Sequence, residues 1–379
     1  MNKKKIKILG SGPTGSLLAI SLASKNCDIT LIDPLSDTSL CAKDKGYAIT
    51  HSSRKIFENL GLWNDIKKYA HGFNTLSIID SEVSQSVIVR TSDLKRFNKD
   101  QNDIGWVIEH KFLMKIFLDS INQNKYINRS NINKTNDNEY SFVLAADGRD
   151  STTRDKWDIS YIQRLYGQRC ISFRAVLIGV PEKRAYEIFR NEGPLALLPL
   201  KNNIYQVIWF SKESETKEKL KLSNEELLDK LSNILPDKIK PESIVSEIAN
   251  YSVAQAFALP KFSNFKNILV GDSAHSFHPV GGQGLNSCIR DVYELSLMIL
   301  NYGKLSTIAR KIFSFNFFLN RFFDIFSLLV FTDFLIKLFS NKNIFLYPLR
   351  IFIFYMLRKI KPLRMNIFSL MTDSIKRYK

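Results

Sequence analysis

"KIKILGSGPTGSLLAISLASKNCDITLID", residues 5–33, decides the fold. The short apolar run at 5–9 reads as a strand, and 13–26 carries apolar residues at helical spacing. Residues 28–33 form a second strand-like run. The order is therefore strand, helix, strand, with Gly10, Gly12 and Gly15 filling the first turn as GxGxxG. The first glycine permits the turn, and the second lets a pyrophosphate approach backbone N–H groups at the helix N-terminus. The third lets helix and strand pack closely. Asp33 closes the second strand, where a carboxylate can accept hydrogen bonds from an adenosine ribose. This is a dinucleotide-binding βαβ unit, and the motif alone does not separate NAD from FAD.

Outward from this unit lies a second glycine-rich element, "GDSAHSFHPVGGQG" at 271–284. The run 267–270 leads into it as a buried strand, and "NSCIRDVYELSLMIL" (286–300) follows as an amphipathic helix. Between the two elements, "FVLAADGRDSTTR" (142–154) is a strand ending in Asp147-Gly148, with Ser151 and Arg154 opening the next segment.

These three stretches, in this order and spacing, make the chain resemble the single-component FAD-dependent aromatic hydroxylases, the class A flavoprotein monooxygenases. Within them it is most similar to the branch that hydroxylates polyprenylated phenols in ubiquinone biosynthesis. GxGxxG at 10–15, ADGxxSxxR at 146–154 and GDxAHxxxPxxGQGxN at 271–286 carry the resemblance, and "ENLGLWNDI" (58–66) and "NEGPLALLPL" (191–200) extend it. It implies that the two glycine elements hold two ends of one extended FAD. Gly10, Gly12, Pro13, Thr14, Gly15 and Asp33 would take the ADP half, with Gly271 and Asp272 at the ribityl chain. Pro279 and the backbone of Gly282, Gln283, Gly284, Leu285 and Asn286 would border the flavin ring. An N–H-rich helix terminus there favours the anionic reduced flavin. Asp147 and Gly148 would lie near the cofactor and near a transiently docked NAD(P)H. Lys45, which the resemblance implies at a contact with the cofactor or the docked nucleotide, stands where the family commonly has arginine, keeping the charge but losing the planar fork. The implied reaction is ring hydroxylation by O₂ through a flavin C4a-hydroperoxide. No catalytic residue is identified. An isoprenoid-chain reductase or other flavin oxidoreductase on the same scaffold is an alternative, and so is a non-catalytic flavin-binding subunit of a lipid-biosynthesis complex.

The expected fold is α/β. A discontinuous Rossmann-like FAD-binding domain of the glutathione-reductase type spans 1–70, 101–155 and 266–300. A substrate domain with an antiparallel sheet spans 71–100 and 156–265, with strands in "CISFRAVLIGV" (170–180) and "IYQVIWFS" (204–211). A helical region follows from 301. His275 and His278 are read as structural groups bonding backbone within their loop, and Cys288 as packing. Asp147 has a simpler alternative role as a helix cap.

Composition narrows the class. The formal net charge is +17, and from Tyr302 onward there are 14 Lys/Arg against 3 Asp/Glu and 14 of the 27 phenylalanines. The rings recur at helical spacing beside Leu and Ile, as at Phe331, Phe334, Leu335, Leu338 and Phe339, which argues against nucleic acid. Arg321, Asp324, Asp333, Lys337 and Arg350 leave no charge-free run near the roughly 20 residues that span a bilayer. The segment is expected to lie on an anionic membrane, with aromatics in lipid and Arg358, Lys359, Lys361 and Arg364 at the headgroups. The four cysteines lack metal or disulfide spacing, so no metal is expected and a reducing cytoplasm fits. Lys3–Lys5 before an apolar run superficially resemble a signal peptide, but Gly10, Gly12, Pro13 and Gly15 occupy its would-be apolar core. The expected location is therefore the cytoplasm, peripheral on the inner face of the membrane. The expected partners are a polyprenylated phenol, O₂ and a ubiquinone-biosynthesis complex.

Overall fold

The computed structural model describes residues 3–94, 102–133, 136–236, 238–259, 266–301 and 307–373. A five-stranded parallel sheet runs in the order Asn267–Leu269, Phe142–Ala145, Lys4–Leu9, Cys27–Ile32, Ile127–Ser130. Ile6 and Ile8 are fully buried between helix Pro13–Leu22 and its neighbours, as a strand covered on both faces requires. Both glycine-rich turns leave from the carboxyl ends of strands in this sheet, which is where open α/β sheets place ligands.

A second sheet of nine strands is mixed. Its central strand, Tyr161–Ile178, pairs antiparallel with Ile204–Lys212 and Ala249–Ala258. Arg184–Phe189 runs parallel to Thr75–Asp80, so the expected antiparallel sheet carries one parallel junction. The strand expected at 170–180 begins at Tyr161 and ends at Ile178, and the one expected at 204–211 ends at Lys212. His275–Ser276, within the second glycine element, joins the edge of this sheet. That loop therefore belongs to both layers. A small antiparallel sheet joins Gly46–Ile49, Gly105–Glu109 and His71–Phe73.

Helices Thr307–Phe339, Tyr347–Lys359 and Lys361–Asp373 complete the described chain. The stripe expected from the sequence turns partly inward: Leu338 and Phe339 are buried against Phe189 and Val280. The exposed face of the long helix runs through Phe315, Leu319, Phe323, Phe326, Val330 and Phe334, the last of them a member of the expected stripe. Of the five charges that interrupt the run, Arg321, Asp324 and Arg350 are buried, Asp333 is half-buried and Lys337 is exposed. Arg364 is not free for a headgroup, because it pairs with Asp93 at 2.8 Å, and Arg358 donates to Gln85. Lys359 and Lys361 are exposed. Among the described residues no helix is long and apolar enough to cross a membrane.

Candidate functional site

The first glycine turn is built by steric necessity. Gly10 has φ +100°, and a Cβ there would lie 2.5 Å from the Ala146 carbonyl oxygen. A Cβ on Gly15 would lie 1.8 Å from the Gly10 oxygen, so helix and strand meet only with hydrogen at both positions. Gly12 is different. A Cβ there meets nothing within 4 Å, and the residue has ordinary extended geometry as N-cap of Pro13–Leu22 with no side-chain cap. The first helical bond runs from Ser16 N–H to Gly12 O, leaving the Thr14 and Gly15 amides without helical acceptors at the positive end of the dipole. Open space in front of uncapped amides fits a pyrophosphate. Asp33 braces the turn, accepting from Ser11 N–H at 2.6 Å and Leu35 N–H at 2.9 Å. An ionised carboxylate retains acceptor sites beyond these two.

The second element comes down directly on the first. Gly271, at φ +67°, lies so close to Thr14 that a Cβ would be 2.8 Å from its methyl carbon. Asp272 is exposed, and among the described residues its carboxylate accepts only a 3.4 Å contact from the Cys288 thiol. Cys288 is buried on helix Gln283–Asn301, and burial pushes its thiol far up, so it stays a neutral packing group. Beyond, Pro279 is exposed, and a Cβ on Gly282 would touch Ala48 at 3.2 Å, while one on Gly284 would meet open space. Gln283 donates to Gly281 O, and its own Oε1 is buried without a partner. Leu285 packs onto the core of the parallel-sheet layer.

Asn286 is the clasp. Its amide nitrogen donates to Ala48 O and Gly282 O, both at 2.8 Å, and its oxygen accepts from Thr50 N–H and the Ser53 hydroxyl. One fully buried side chain thus fastens segment 46–53 to the loop. Lys45, at the start of that segment, is exposed, with its ammonium 5.3 Å from the Tyr47 ring centre and 5.6 Å from that of Tyr251. In the middle motif Ser151 is the N-cap of helix Thr152–Lys156, accepting from Arg154 N–H at 2.9 Å, and Asp147 braces that cap from outside the helix, accepting from the Ser151 hydroxyl at 2.5 Å and Thr153 N–H at 3.1 Å. Gly148 has φ +89° and open space beside it.

His278 behaves as expected of a structural group. Val280 N–H donates to its Nδ1, so Nε2 carries the proton and donates to Gln168 Oε1. Burial pushes its pKa down to about 3. His275 does not bond loop backbone through its Nε2; that nitrogen donates to Asp291 Oδ2 at 2.5 Å. Asp291 in turn accepts from Arg321 at 2.6 Å and from Gly271 N–H at 3.1 Å, and Asp324 accepts from both Arg321 and Arg290. Burial alone would raise the Asp291 carboxyl, but the His275 imidazole and the Arg321 guanidinium hold it well below the carboxylate range. The sequence reading missed this buried network. Its signal was the pair Arg321 and Asp324, opposite charges three apart in the phenylalanine-rich middle of helix Thr307–Phe339.

Glu187 was also missed. It is the one acid in "AYEIF" (185–189), and the Gly281 backbone N–H bonds its carboxyl. The Glu187 Oε1 is buried and unpartnered. Burial pushes its pKa up to about 8, with the Gly281 bond opposing.

An apolar cleft between Phe257, Phe317, Phe318, Phe322 and Ile325 is lined also by Ala274, His275 and Asp291 and includes neither Gly12 nor Gly284. The open glycines, uncapped amides and orphaned Gln283 oxygen mark the site instead.

Residues 3–302 match the family described as FAD binding domain. An uncharacterised Synechocystis protein, slr1300, is 25% identical, across 99% of this chain and 94% of its own length. The 3-demethoxyubiquinol 3-hydroxylase of Escherichia coli is 23% identical, across 79% of this chain and 81% of its own. The crystal structure of p-nitrophenol 4-monooxygenase PnpA from Pseudomonas putida superposes with a TM-score of 0.76 at 17% identity, covering 97% of both chains.

Proposed function

The chain belongs to the FAD binding domain family and has the fold of FAD-dependent monooxygenases, and from that premise we propose that it hydroxylates the ring of a polyprenylated phenol in ubiquinone biosynthesis. FAD is its cofactor. The observation that carries the reading is the contact of Gly271 with Thr14, which makes one continuous cradle from two distant glycine elements.

In this reading Gly12, Thr14 and Gly15 give backbone to the pyrophosphate, while Pro13 sets the helix start and Gly10 the turn. Asp33 takes the ribose and Asp272 the ribityl chain. Pro279 and Gly282–Asn286 border the ring, with Asn286 acting through the fastening of segment 46–53. Asp147, Gly148 and Lys45 lie near the cofactor, beside the ground where NAD(P)H would dock transiently. Bound FAD supplies the oxygen-transfer chemistry. The chain's own residues bind it, orient the phenol and exclude water.

The substrate class rests on the similarity to the Escherichia coli hydroxylase and on the three motifs together. A polyprenyl tail also gives the exposed phenylalanine face of Thr307–Phe339 a use: held on the inner surface of an anionic membrane, or in a biosynthetic complex there, the protein would take the phenol without drawing its tail through water. The parallel-sheet and mixed-sheet layers divide the work as FAD-binding and substrate domains. Quinone intermediates in cells lacking the gene test this reading. An accumulating unhydroxylated prenylphenol is expected, and an unchanged quinone profile would refute it.

A further inference from the structure

Glu187 occupies an unusual position for an acid. On Arg184–Phe189 it stands in register between Ala196 on one neighbouring strand and Ile78 on the other, so neither lateral neighbour can neutralise it. Alternation places it on the face shared with Ala185 and Phe189. Val280 packs against Phe189 on that face, and the Gly281 N–H reaches the Glu187 carboxyl. The second glycine loop therefore rests on this acid. One carboxyl oxygen anchors the loop, while the other is buried and unpartnered.

The charged groups nearby are committed elsewhere. Asp80 faces Arg350, and Arg190 pairs with Glu192. Arg184 bonds Tyr186, which packs in the core on the opposite face. Arg174 pairs with Glu109 and Asp44, and His278 is fixed by Gln168 and Val280. Strand Leu195–Pro199 carries no titratable side chain.

We propose that Glu187 is the residue that takes the hydroxyl proton of the phenolic substrate. This rests on the reading of 279–286 as the border of the flavin ring. The phenol O–H bond breaks, the proton passes to Oε1, and the electron pair stays on the phenolic oxygen, enriching the ring carbon that receives oxygen. The ring carbon that has taken oxygen then loses its own hydrogen as a proton to solvent, which restores aromaticity, and the proton held on Oε1 returns to the phenolic oxygen. Magnitudes favour this acid over an ordinary one. A phenol near pKa 10 gives its proton to a carboxylate near 4.3 with an equilibrium penalty of about 10⁶, but to one near 8 with only about 10². A base close to the working pH is also the efficient one.

The test uses the FAD-loaded full chain, reduced with dithionite and mixed with O₂ and 2-geranylphenol from pH 6 to 10. Glu187→Gln keeps the volume and an oxygen for the Gly281 N–H, so the loop anchor survives. In the wild type the rate of hydroxylation should rise with pH and level off above about 8. The Gln variant should lose that inflection and fall roughly 100-fold, while Glu187→Asp should recover part of the rate and the inflection. Infrared difference spectra give a readout independent of turnover: a protonated-carboxyl band that disappears on alkalinisation in the wild type and is missing from the Gln variant. An active wild type with an indifferent Gln variant, or no such band, overturns the assignment and leaves Glu187 a loop anchor. A FAD-loaded wild type that hydroxylates no prenylphenol removes the hydroxylase reading and the assignment together.

Discussion

Gly12→Val separates a binding glycine from a folding glycine within one motif. At Gly12 the backbone is already in a region open to every residue, and an added Cβ meets nothing within 4 Å, so the apoprotein should tolerate the side chain. What the valine occupies is the approach of the pyrophosphate to the Thr14 and Gly15 amides. Two charge-assisted hydrogen bonds at about 1.5–3 kcal/mol each amount to roughly 3–6 kcal/mol, or about 10²–10⁴ in affinity. Fluorescence titration of apoprotein with FAD should therefore show a loss of at least about 100-fold, with the apo fold retained and its melting temperature lowered only by the small cost of a poorer N-cap. Gly15→Val should behave oppositely: its Cβ would sit 1.8 Å from the Gly10 oxygen, so the fold itself should fail. Normal FAD affinity in Gly12→Val, or an apo form destabilised as badly as Gly15→Val, would refute the assignment of that open space to the cofactor.

Asp272→Ala should weaken FAD by about ten- to a hundredfold without unfolding the protein, because it removes one charge-assisted bond of about 1.5–3 kcal/mol from an exposed carboxylate; unchanged affinity on titration would make Asp272 a turn residue. His110 and His278, held neutral by burial with pKa values of about 4 and about 3, contribute stability that is full above about pH 6.5 and lost as pH falls toward those values, on the order of 2 kcal/mol each by pH 5. Urea midpoints at pH 7.5 and 5 check this, and a flat profile contradicts it. Sedimentation with anionic vesicles should show binding that weakens with salt and that falls on Lys359→Gln with Lys361→Gln, or on Phe323→Ser; protein left in the supernatant at low salt would remove the membrane role.

The glycine elements were legible because their spacing is dictated locally. Gly15 excludes a side chain through the Gly10 carbonyl inside one βαβ unit, Gly10 through its own turn at φ +100° and through Ala146 just past the neighbouring strand, and the acid ending the second strand follows from chain geometry. The extent of the mixed sheet was less legible. Residues 161–169, "YIQRLYGQR", bury little, with Ile162 and Leu165 exposed, and the register shifts between Leu165 and Arg169 around Gly167 at φ +64°. No two-residue period survives that. The polar interior was hidden for another reason. His275, Asp291, Arg321 and Asp324 come together from a loop and two helices, and Glu187 gains its character from a glycine distant in sequence. Burial and partner are tertiary facts, and a lone acid in a strand does not announce them. The same holds for the long C-terminal helix, whose apolar residues lie on both faces. Which face is covered depends on the mixed sheet against which Leu338 and Phe339 pack.

Oxygen transfer is tested most directly by isotope. FAD-loaded protein, reduced and then exposed to ¹⁸O₂ with 2-geranylphenol, should yield a ring-hydroxylated product carrying one ¹⁸O atom, identified by mass spectrometry of the extracted phenols. A product that has gained hydrogen but no oxygen, or a phenol returned unchanged while the flavin reoxidises, would contradict a monooxygenase acting on prenylated phenols.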